Sequence, residues 1–113
     1  MLQDKTIDII GYALDAAIMR ETAIAANIAR VNRPNARTLT VDFETQLTSA
    51  LDSHQTFEAA DIAPHYTYHT APAQLDEQVA LSVKNTTQYH ALIKGLNHKL
   101  AIMNLAIQGN NAS

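Results

Sequence analysis

The chain has 113 residues, 47% hydrophobic and 17% charged, with 8 basic against 11 acidic side chains and a net charge of −3. That is enough for one ordinary domain or one extended subunit, which excludes a multidomain enzyme, and the charge gives no basis for holding a nucleic-acid backbone or an anionic membrane. The absence of cysteine excludes disulfides and thiol chemistry, and with no Trp and only two Phe the packing falls to Ala, Leu, Ile and Val, which favours closely apposed helices.

In chain order, the start Met1-Leu2-Gln3-Asp4-Lys5 carries no basic n-region, and the first apolar stretch, Ile7 to Leu14, is interrupted by Asp8. A cleaved Sec signal is therefore not expected. No window reaches the roughly 18 to 20 apolar residues of a spanning helix, so direct membrane insertion is not expected either. Pro34, Pro64 and Pro72 all lie mid-chain and the flanks are free of proline, which predicts two long helices and a connector. Alternating steps of three and four pick out Ile7, Ile10, Leu14, Ala17, Glu21, Ile24, Ile28 and Val31 in the first flank. In the second they pick out Leu75, Val79, Ser82, Thr86, Tyr89, Ile93, Leu96, Leu100, Met103 and Ile107. Such a seam lets two helices zip along one another. A helix from near Lys5 to near Val31 would be about 40 Å long, and one from near Asp76 to near Gln108 about 48 Å.

Within the connector, Phe43, Leu47, Ala50 and Leu51 recur at helical spacing, and Thr40 or Asp42 could cap a short helix there. His65-Tyr66-Thr67-Tyr68-His69-Thr70 is rich in β-formers and reads as extended or as a single isolated strand. The expected fold class is all-α: an extended, coiled-coil-like antiparallel pair of long terminal helices with a short central helix and an irregular or extended connector. The segments are 1–34, 35–74 and 75–113, forming one structural unit.

A search for chemistry finds little. His65 and His69 in a strand stand about 13 Å apart, and His90 and His98 are two helical turns apart, so neither pair can chelate one ion. No Ser or Thr sits in a nucleophile elbow, the glycines are too scattered for a phosphate loop, and Asp76-Glu77 at a helix start reads as a dipole and capping feature. A non-enzymatic chain without metal or cofactor is the expectation. What remains is surface: Ile18, Ala25, Leu92 and Leu105 lie off the seam in a second apolar stripe. Another subunit would bury that stripe, or the connector would fold back over it in a monomer.

The residues also carry a resemblance. Ala26-Asn27-Ile28-Ala29-Arg30-Val31-Asn32-Arg33-Pro34, with Asp42-Phe43 following, resembles the Ala-Asn-Ile-Ala-Asn-x-x-Thr-Pro-Gly-Tyr signature and trailing Asp-Phe of bacterial flagellar basal-body rod proteins. Asp76, Asn85, Tyr89, Leu96-Asn97, Lys99 and Ala106-Ile107-Gln108-Gly109 look like the C-terminal helix of the proximal rod subunits in that family. The chain departs from the signature at Arg30, Arg33 and Asn35-Ala36; Asn35 can still take the left-handed conformation that Gly provides in the family.

The resemblance implies a structural subunit without cofactor, exported by the flagellar type III apparatus and assembled through its terminal helices into the periplasm-spanning rod of the flagellum basal body. The implied partners are other rod subunits, the rod-to-ring adapter, the membrane (MS) ring and the export apparatus, with self-association. Two alternatives remain, a rod or adapter component of a related type III secretion system and a helical binding module unconnected to export. The residues expected at subunit contacts are Ile24, Asn27, Ile28, Ala29, Pro34, Asp42, Phe43, Tyr89, Ile93, Leu96, Asn97 and Leu100. Read locally, Asn27 and Asp42 could equally be capping or hydrogen-bonding residues, and Ile24, Ile28, Ile93 and Leu96 intrachain core.

Overall fold

A computed structural model of the chain describes residues 5–53 and 58–112. The proline-free first flank forms helix α1, Lys5–Ala29. It ends in tightened turns, in which Arg30 N–H donates to Asn27 O (3.1 Å) and Val31 N–H to Ile28 O (3.3 Å). Pro34 follows, and Asn35 takes a positive φ of 62° that turns the chain back. Strand β1, Thr38–Asp42, then returns along α1. Helix α2, Glu44–Asp52, starts directly after it, and a short 3-10 turn, Ala59–Ile62, leads into strand β2, His65–His69. Helix α3, Leu75–Ala112, completes the chain.

β1 and β2 pair antiparallel, with Thr38 opposite His69, Thr40 opposite Thr67 and Asp42 opposite His65. The protein is therefore mixed α/β, and the all-α expectation is corrected. The run at 65–69 is not isolated because β1, which the helical reading had treated as the approach to α2, supplies its partner. Thr40 and Asp42 consequently lie in the strand and do not cap α2, whose preceding residue Phe43 makes no side-chain cap. β-branched Thr38, Thr40 and Val41 suit a pleated surface, and the pairing is what no single-segment pattern reveals.

The buried cluster of Ala16, Ala23, Val41, Phe43 and Ile62 lies between α1 and the connector, with Tyr12, Ala13, Met19, Leu39 and Leu47 packed around it. The connector thus folds back over one face of α1. The α1–α3 contact uses a different face and is antiparallel, since Asn27 meets Gln78 while Ala17 meets Asn85. Its buried residues on α3 are Gln78 and Asn85, whereas Leu75 and Val79, which the apolar periodicity selects, are about half exposed. The register carries α3 past Lys5, so its last turns run beyond the described part of α1. The molecule is correspondingly long, 67 × 29 × 16 Å. No described helix is long and apolar enough to cross a membrane.

Candidate assembly surface

Asn27, on the last turn of α1, is buried and uses its whole side-chain amide. Nδ2 donates to Leu39 O (2.8 Å) and to Gln78 Oε1 (3.0 Å), and Oδ1 accepts from Leu39 N–H (2.8 Å). The amide acts on β1 as a one-residue strand, satisfying outward main-chain groups that a sheet edge leaves open. It also binds α3, so one side chain joins three elements.

A second polar tie lies about two turns earlier on α1. Ser82 Oγ donates to Glu21 Oε1 (2.6 Å), while Asn85 Nδ2 donates to Ala17 O (2.8 Å) and Glu21 Oε2 (3.0 Å). The hydrogen bonds from Ser82 and then Asn85 hold the Glu21 carboxyl below the usual range, against a smaller opposing effect of burial. Asn85 Oδ1 is buried without a hydrogen-bond partner among the described residues. The third tie is Arg20, whose guanidinium pairs with both carboxylate oxygens of Glu44 and donates to Val41 O (3.1 Å). Burial of Glu44 pushes its carboxyl up, but the hydrogen bonds from Arg20 and its own backbone N–H, with the Arg20 charge, outweigh this and leave it lowered.

These ties frame an open groove of about 420 Å³ between α1, β1 and α3, with Arg20, Ile24, Leu81, Lys84 and Gln88 on its walls. Among the described residues no three His, Asp or Glu side chains converge as a metal site would require.

The residues expected at subunit contacts separate into three groups. Ile24, Asn27 and Phe43 are buried within the chain, Phe43 in the α1–connector core. Asp42 is half-buried at the end of β1, accepting from Thr67 Oγ1 (2.7 Å) with His65 Nε2 3.5 Å away. Ile28, Ala29, Pro34, Asn97 and Leu100 are exposed, while Tyr89, Ile93 and Leu96 are half-buried along α3. Sequence reasoning missed Gln78 as the partner of Asn27; the signal was its spacing of seven from Asn85, which puts two amides on one face of the helix. It also missed Arg20 with Glu44, for which no pattern in the sequence exists. Arg30, a departure from the rod signature, has its guanidinium 6.0 Å from the Tyr68 ring, and Arg37 lies over the same ring at 4.3 Å.

Beyond the described part of α1, Leu100, Ile102, Leu105 and Ile107 stand exposed on α3, Leu105 by two-thirds of its surface. Comparison with known protein families and with curated proteins finds no match for this chain.

Proposed function

We propose that this chain is a structural subunit of the bacterial flagellar basal-body rod, most like its proximal subunits, exported by the type III apparatus and polymerising through its terminal helices. The observation that carries this reading is the set of exposed apolar side chains Leu100, Ile102, Leu105 and Ile107, which lie on two opposite faces of α3, Leu100 with Ile107 and Ile102 with Leu105, beyond the described part of α1. Apolar side chains exposed on both faces are a cost in a monomer and contacts in an assembly that surrounds the helix. The rod-like signature around Asn27 supports the same reading: its Asn joins α1, β1 and α3 and so fixes the angle at which the two terminal helices leave the connector. The partners proposed are other rod subunits, the rod-to-ring adapter and the membrane ring.

The test is genetic and structural at once. Deletion of the gene should stop assembly at a rodless ring, and basal bodies from complemented cells should contain the chain. Ile28→Asp, at an exposed position next to Asn27, should leave the isolated chain folded and block rod growth. Intact hooks with that variant at normal abundance would sink the assignment of Ile28 to a subunit contact. Motility unaffected by the deletion would sink the rod reading as a whole and favour a helical module serving another assembly.

A further inference from the structure

The two edges of the β1–β2 ribbon differ. On β1, Leu39 N–H and C=O are taken by Asn27, and Val41 O by Arg20, so α1 side chains occupy three of the four outward groups of that edge. Because the main chain of Leu39 faces away from β2, the pair Leu39–Tyr68 is a non-hydrogen-bonded one, as is Val41–Tyr66 two residues on. The alternation of an antiparallel ladder then turns the N–H and C=O groups of Tyr66 and Tyr68 outward on β2. These groups have no hydrogen-bond partner among the described residues, and Tyr66 and Tyr68 are themselves exposed. Two residues of open strand edge are a template for another strand.

The sequence of β2 says which strand fits. His65-Tyr66-Thr67-Tyr68-His69 reads the same in both directions, and an antiparallel neighbour is read in the opposite direction. We propose that the open edge of β2 pairs with β2 of a second copy of this chain, about a two-fold axis through Thr67. Tyr66 then lies opposite Tyr68 of the second copy and exchanges both main-chain hydrogen bonds with it, and the symmetric pair does the same, giving four bonds from the four open groups on each side. Thr67 faces its own copy across the axis in the non-hydrogen-bonded position, and His65 faces His69. This register is the one that uses the outward groups and keeps every side chain on its own face of the sheet. The product is a four-stranded sheet in the order β1-β2-β2-β1, whose outer edges are both covered by Asn27 and Arg20 at Leu39 and Val41 O.

The geometry leaves room for the pairing. The two-fold axis is perpendicular to the sheet, so both copies of α1 lie on one face, each packed chiefly against its own β1. The two β1 strands are three strand spacings, about 14 Å, apart. That exceeds the roughly 10–12 Å diameter of a helix with its side chains. The pairing does not rest on the rod reading: it closes on itself, whereas a rod grows by head-to-tail contacts, so it describes subunits outside the filament. Five residues a side make a small interface, and the dimer is a weak one that forms as concentration rises.

The native chain carries no cysteine, so single cysteines report the register directly. Under mild oxidation Thr67→Cys should couple to itself about tenfold or more faster than Thr87→Cys on the exposed face of α3, because the Cα atoms across a non-hydrogen-bonded pair are about 4.5 Å apart, within disulfide range. His65→Cys alone and His69→Cys alone should not couple, whereas a mixture of the two should. In sedimentation the native chain should move from monomer toward dimer between micromolar and millimolar concentration, and Tyr68→Pro, which removes one outward N–H without touching the β1 ladder, should remain monomeric with unchanged circular dichroism. Self-coupling of His65→Cys as fast as that of Thr67→Cys, coupling through Thr87→Cys at the same rate, or a chain monomeric at millimolar concentration would each overturn the proposal. If Tyr68→Pro fails to fold, the cysteine series decides alone.

Discussion

Asn27 carries more of the architecture than its size suggests. Removing its amide leaves Leu39 N–H, Leu39 O and Gln78 Oε1 without the partners they have now, at the wall of the groove between α1, β1 and α3. Each buried polar group left unpaired costs about 1–3 kcal/mol, so Asn27→Ala should lower the unfolding free energy by about 3 kcal/mol in urea titrations. Asn35 has a lighter role: its φ of 62° is tolerated by Asn and penalised for residues with an ordinary Cβ. Asn35→Ala should cost about 1 kcal/mol, and Asn35→Gly, which restores the glycine of the rod signature, should not destabilise. Glu21 supplies a pH dependence. Its folded carboxyl lies below the unfolded value of about 4.3, so its contribution is complete above that pH and is lost as pH falls through the folded value. Glu21→Gln should therefore show a shallower fall of melting temperature between about pH 5 and pH 3 than the native chain; an unchanged acid slope would mean that the Ser82 and Asn85 hydrogen bonds do not favour the ionised form.

At the scale of elements, the two faces of α1 do different work. The face bearing Ala16 and Ala23 meets Val41, Phe43 and Ile62, and alanines there allow the ribbon and the 3-10 turn to approach closely. Ile62 is the largest side chain wholly out of solvent, and Ile62→Ala should destabilise by about 3 kcal/mol, detached from any effect on the α1–α3 contact. The face bearing Ala17, Glu21 and Ile24 meets α3 through hydrogen bonds as well as apolar contact. Polar ties fix one register between two helices, whereas an unbroken apolar seam would permit sliding by a turn. α3 itself is supported unevenly along its length. Its N-terminal half is held by Gln78, Ser82 and Asn85, and hydrogen exchange should run fastest in the turns beyond Leu100.

For the molecule as a whole, a 67 Å length with its buried cluster between α1 and the connector leaves the far end of α3 outside the core. Leu105→Asp probes that far end. Placed on a surface already exposed, it should change the stability of the isolated chain by no more than about 0.5 kcal/mol, yet exclude the variant from basal bodies if the α3 face bearing Ile102 and Leu105 is a subunit contact. Loss of folding in the isolated variant would instead show that α3 already buries Leu105 in solution.

The helices were legible in the sequence because helical periodicity and proline placement act locally: both terminal helices fall close to where the 3–4 spacing and the prolines put them. The left-handed turn at Asn35 was legible only as a conformation open to that residue, through the glycine that the resembled signature has there. The strand pairing was not, because β1 and β2 stand 22 residues apart between Asp42 and His65, and each alone is a short run that fits a loop or a helix approach. The nature of the helix contact was hidden for a related reason. An apolar stripe can be read along one helix, but which face meets the partner depends on what the rest of the chain covers; here the connector took one face of α1 and left the Asn27–Gln78 and Glu21–Asn85 side to α3. Local chemistry determined the elements of this protein, and only tertiary packing decided their partners, because pairing is a competition among surfaces distant in sequence.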